Sequence, residues 1–96
     1  MNPRSGGRAV LDHVGEDTTQ VSYRAELYVP DACYRSDVRI GVADGVVTFT
    51  AWTPGEPPAW LVKYAQTFLR SAWRERQRDA SVPWPDRINR WREEKE

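Results

Sequence analysis

The stretch "DVRIGVADGVVTFTAW", residues 37–52, constrains the fold of this chain more than any other. Asp44 and Gly45 separate two β-branched runs, and a two-residue type I′ hairpin needs positive φ at both central positions. With Asp44-Gly45 as the loop, Val42 faces Val47, Ile40 faces Phe49 and Val38 faces Ala51, all on one face. Gly41 with Thr48, Arg39 with Thr50 and Asp37 with Trp52 fall on the other. A slip of one residue would scatter the apolar set over both faces, so this register is the expected one.

Upstream, "TTQVSYRAELYV" alternates. Val21, Tyr23, Ala25, Leu27 and Val29 share one face, and Ser22, Arg24, Glu26 and Tyr28 the other, the period of a half-buried strand. Pro30-Asp31 closes it with a turn signal. Downstream, "TPGEPP" leads into a helix, with Pro57 or Pro58 suited to its first position. From Ala59 to about Asp79, Leu61, Ala65, Phe68, Leu69 and Ala72 form an apolar stripe flanked by Val62, Tyr64 and Trp73. Val82 and Trp84 precede prolines and are pushed to extended backbone. A second, short helix is expected from Pro85, with Asp86 in its first turn and Ile88, Trp91 and Lys95 along one side.

The expected fold class is α+β: a three-stranded antiparallel meander covered on one face by a long helix (β-β-β-α), plus a short C-terminal helix. Residues 1–17 show no sustained period and are expected to be a flexible N-terminus; residues 18–80 form the domain. Residues 81–96, rich in Trp, Pro and Arg, are expected to dock on it, a partner-binding helix being the alternative. A domain of this size buries only about 60–65% of its unfolded surface. Five Trp, four Tyr and two Phe supply large apolar area where Leu and Ile are few.

No apolar run is long enough to span a bilayer, so no membrane association is expected. One cysteine excludes an internal disulfide and a multi-Cys zinc site, and a reducing, cytoplasmic setting fits it best. His13 is the single histidine, and Cys33 sits in the loop between the first two expected strands. No paired carboxylates, Gly-rich phosphate loop or positioned nucleophile accompanies them, so no catalytic residue, metal or cofactor is assigned.

An enzyme of unknown type, with His13 and Cys33 as its only candidate groups, is the third reading; two binding functions stand ahead of it. The leading one is a non-catalytic protein–protein interaction module: a subunit, an adaptor or a small inhibitor of a larger protein. Tyr28, Arg39, Trp52, Trp60 and Arg74 are its candidate contacts, because Tyr, Trp and Arg dominate interface hot spots. Gly41, within a strand, would leave a shallow seat for an aromatic ring. A homodimer through an edge strand or an exposed Trp face is a further arrangement open to the chain. The alternative is nucleic-acid binding along Lys63, Arg70, Arg74 and Arg78, a column opposite the apolar stripe. The like-charged i,i+4 pairs in it cost about 0.2–0.5 kcal/mol each, which an anionic neighbour would relieve. The formal net charge is zero, yet residues 1–59 carry five Arg against eight acids, and residues 60–92 carry eight cations against three. Twelve Arg against two Lys follows GC-rich codon usage as readily as phosphate recognition. The order of elements resembles the double-stranded-RNA-binding domain, but that family's basic cluster is replaced here by Pro57, Pro58, Ala59 and Trp60.

Overall fold

The alternation of Gln20–Val29 (β2) carries into the computed structural model, which describes residues 5–93. Val21, Tyr23, Ala25 and Leu27 are fully buried, while Arg24 stands in solvent. A two-residue turn at Pro30-Asp31 pairs β2 with Ala32–Gly41 (β3), which in turn pairs with the three-residue strand Val47–Phe49 (β4). The helix Ala59–Arg78 (α1) follows, with Pro58 at its N-cap. The meander and its single long helix are therefore present, in an α+β fold.

The sheet, however, has five strands, in the order β4-β3-β2-β1-β5. The N-terminal segment expected to be flexible contains Gly7–Glu16 (β1), hydrogen-bonded between β2 and the last strand. Its apolar residues do not alternate because it is covered on both sides. Ala9 and Leu11 face the helix, and Val10, 4% exposed, is buried on the opposite face. An irregularity between His13 and Gly15 then leaves Val14 exposed. Gly7 matters for packing: a Cβ there would come within 2.9 Å of the Leu61 and Trp60 side chains.

The short C-terminal helix is replaced by a strand, Arg87–Arg92 (β5), antiparallel to β1. An isolated helix of that length is marginal in water, whereas the open edge of β1 offers a continuous ladder. Alternation then directs Ile88 into the core and Trp91 outward, which separates two residues a helix would have placed together. The lead into β5 is fixed from three directions. Trp84 is buried; Tyr23 donates from its hydroxyl to Pro85 O at 2.6 Å; Arg76 donates to Ala80 O at 3.0 Å and Val82 O at 2.8 Å.

The β3–β4 register differs from the expected one by two residues: Phe49 opposes Val38 and Val47 opposes Ile40. A shift of two keeps the faces, so the apolar set still points at the helix. Its cause is Asp44, whose Oδ1 accepts the Val46 N–H at 3.0 Å and lies over Gly41, where a Cβ would collide with it. The loop thereby widens to four residues, Val42 to Gly45, with Gly45 at φ +72°. The expected aromatic seat over Gly41 is filled by this carboxylate.

Beyond β4 the chain bulges. Thr50 N–H donates to Asp37 O, and Arg35 and Thr53 exchange backbone hydrogen bonds, so Ala51 and Trp52 together oppose Ser36. Ser36 Oγ donates to Thr50 O at 2.9 Å and Thr50 Oγ1 accepts from Asp37 N–H at 3.1 Å, which fills the disrupted ladder. The extra residue turns Trp52 to the helix side, against Phe49. Leu61, Ala65, Leu69 and Ala72 of α1 close the core over β1, β2 and β3. No helix of the described residues is long and apolar enough to cross a membrane.

Candidate binding surface

One sheet face carries no helix. The strand registers align Asp37, Arg24, Asp12 and Arg87 in a row across β3, β2, β1 and β5, alternating in sign. Arg87 grips the Asp12 carboxylate at 2.6 and 3.3 Å, and Arg35 holds Glu26 at 3.1 Å. Val10, opposite Glu26 and Asn89, lies buried in this layer. Tyr28 lies half-buried in this layer, and burial, with Glu26 beside it, pushes its phenol above the usual value. Such exposed pairs contribute little stability each, but they leave much of this face electrically self-satisfied.

The opposite arrangement holds where α1 meets β5. Alternation along β5 puts Arg90 and Arg92 on the helix side. The Arg90 guanidinium lies 5.3 Å from the Phe68 ring centroid, and that of Arg92 lies 5.3 Å from the Tyr64 ring. The two rings meet edge to face at 4.9 Å. Trp60, Lys63, Tyr64, Thr67, Phe68 and Arg92 line a groove of about 310 Å³. Tyr64 donates its hydroxyl to Trp91 O at 3.1 Å, and Arg90 Nη1 donates to Asn89 O at 3.0 Å. Among the described residues, no carboxylate lies within ion-pair distance of Lys63, Arg90 or Arg92. Arg90 and Arg92 are thus held by stacking, each attraction amounting to about 0.5–1 kcal/mol at an exposed site, with no counter-charge beside them among the described residues.

The five residues expected to contact a protein do not converge. Tyr28 and Arg39 share the open face but stand apart on it, opposite Cys33 and Ser22 respectively. Trp52 packs on the helix side of the sheet, Trp60 sits beside Gly7 at the start of α1, and Arg74 is exposed on α1. Of the basic column, Lys63, Arg70 and Arg74 are exposed, whereas Arg78 is bonded to Glu75 at 2.8 Å. Lys63 alone of that column borders the groove. His13 packs edge-on to Tyr23 at 5.4 Å, with Nε2 3.3 Å from Glu16 Oε1. Cys33 is a free thiol opposite Tyr28. Among the described residues, no group of three or more His, Cys, Asp or Glu side chains could hold a metal ion.

Reading the sequence missed Arg90 and Arg92. The signal that finds them is the alternation Ile88, Arg90, Arg92, which is legible only when β5 is taken as a strand. The features above define a five-stranded antiparallel sheet with one covering helix and an arginine–aromatic edge. No protein-family profile, curated protein or solved structure matches the chain.

Proposed function

We propose that this chain is a small non-catalytic interaction module that binds an acidic segment of another protein at the junction of α1 and β5. The observation that carries the reading is the pair of guanidinium groups, Arg90 and Arg92, laid on Phe68 and Tyr64 without carboxylate partners among the described residues. Planar guanidinium groups match carboxylates bidentately, and stacking fixes their orientation before a ligand arrives. At this junction arginine already lies on the Phe68 and Tyr64 rings, which favours a carboxylate ligand there over a stacked base. The role needs no cofactor, and a reducing compartment keeps Cys33 a free thiol.

Nucleic acid is the second reading, favoured by the exposure of Lys63, Arg70 and Arg74 along α1. Titration of the intact protein with polyglutamate and with a single-stranded oligonucleotide separates the two. Arg90→Gln with Arg92→Gln is expected to weaken polyglutamate binding about tenfold or more, two charge-assisted contacts being lost. Oligonucleotide binding with a steep salt dependence, abolished by neutralising Lys63, Arg70 and Arg74 and untouched by the β5 changes, would replace this reading with the second.

A further inference from the structure

We infer that the acidic partner segment is extended and adds to the sheet as a sixth strand beside β5. The inference rests on the acidic-ligand reading above and gives it a binding mode and a residue pattern.

Among the described residues, β5 is an end strand of the sheet, as β4 is. The β4 edge is a poor template, because it runs for three residues and then bulges. The β5 edge is regular for six. His13 N–H donates to Asp86 O at 2.8 Å, so this opposed pair is hydrogen-bonded. In an antiparallel ladder the bonded pairs alternate, and Ile88, Arg90 and Arg92 therefore direct their backbone groups at β1. Arg87, Asn89 and Trp91 direct theirs away from the sheet. The hydrogen bonds from Arg90 to Asn89 O and from Tyr64 to Trp91 O cap two of these outward carbonyls from the helix side. Such caps blunt an edge against indiscriminate pairing, and each carbonyl keeps a second lone pair for an incoming N–H.

A strand laid on this edge meets two different rows. Its residues opposite Arg90 and Arg92 point to the helix side and reach the stacked guanidinium groups, with Lys63 beyond. These would be non-hydrogen-bonded pairs, in which side chains approach most closely, so opposite charge is favoured there. The residue between them points to the other face and meets Trp91, which is 44% exposed. The matching segment has acidic residues two apart, flanking a residue that packs on an indole. Backbone pairing supplies affinity and the alternate side chains supply selectivity. A second copy of this chain fits poorly, since β5 against β5 brings arginine against arginine.

The test uses the full chain and two capped eight-residue peptides of equal composition, one alternating Glu and Thr, the other with four Glu followed by four Thr. Strand addition predicts tighter binding of the alternating peptide. It also predicts slowed hydrogen exchange at the Asn89 and Trp91 amides, and about tenfold loss on N-methylating one peptide amide that faces β5. Equal binding of both peptides without slowed exchange at those amides would overturn strand addition and leave the acidic-ligand reading standing. Failure of both peptides to bind would overturn that reading and this mode together. Protection of the same amides that grows with protein concentration, without peptide, would assign the edge to a second copy.

Discussion

The indole N–H of Trp73 donates to the carbonyl oxygen of Val42 at 2.9 Å, and its ring lies directly on Gly45. Through this contact the helix sets the shape of the β3–β4 loop. A Cβ at Gly45 would approach the ring to 2.6 Å, at a backbone φ of +72° that side chains rarely adopt. Gly45→Ala is expected to destabilise the fold by about 2–3 kcal/mol through overpacking and the left-handed backbone. Trp73→Phe, which removes the hydrogen bond, is expected to cost about 1 kcal/mol. Urea unfolding checks both, as a lower midpoint at unchanged slope.

Trp84 and Ile88 belong to the core, and β5 closes one side of β1. Removing residues 82–96 uncovers the side of Leu11 and Ala9 that faces β5 and leaves that edge of β1 unpaired. The truncated chain is expected to lose its cooperative thermal transition. Trp84→Ala is the milder version, with an expected loss of about 3–5 kcal/mol. A truncated chain melting like the full one would show that β5 is not part of the folded unit.

Tyr23 is fully buried with its hydroxyl on Pro85 O. Burial, then the charges of Glu16 and Asp86, push its phenol well above 10.0. The folded chain thus holds this proton more tightly than the unfolded chain does. The corresponding stability is complete below about pH 10 and is lost as pH rises above it. Tyr23→Phe is expected to cost about 1 kcal/mol at neutral pH and to flatten the alkaline decline, read from melting temperatures on either side of pH 10.

Acid works through different groups. Asp17 Oδ1 accepts from the Thr19 N–H, the Thr19 hydroxyl and the Gln20 N–H, and these bonds hold its carboxyl below 3.8. Asp79, bonded by the Ser81 hydroxyl and N–H, is lowered in the same way. Depressed carboxyls stabilise above their unfolded value, and that contribution disappears as pH falls through the folded one. A variant with Asp17→Asn and Asp79→Asn is expected to show a shallower loss of melting temperature below about pH 4 than the parent. An unchanged acid profile would place the acid sensitivity in other carboxyls.

The contrast between β2 and β1 explains what sequence patterns reveal here. β2 has one wet face, so its alternation is visible. In β1, Ala9, Val10 and Leu11 are all buried, which erases the period, and His13 and Asp12 read as loop chemistry although both lie in the ladder. β5 hid for a related reason. Its core-side residues after Ile88 are arginines, whose apolar stems and stacked heads cover Phe68 and Tyr64 while counting as polar in any periodicity. Trp52 was displaced by a single bulge, because one extra residue exchanges the two faces of a strand.

Local patterning alone determined the α+β class, the antiparallel run through β2, β3 and β4, the extent of α1 and the buried faces of these elements. Each depends on neighbours in sequence and on the periods of helix and strand. The tertiary structure decided the pairing of β1 with β5, the direction of Trp52 and the meeting of Arg90 and Arg92 with α1. Those outcomes depend on partners far apart in the chain. Asp12 of β1 and Arg87 of the strand that closes it are 75 residues apart in the chain, and only the packed sheet brings the two together.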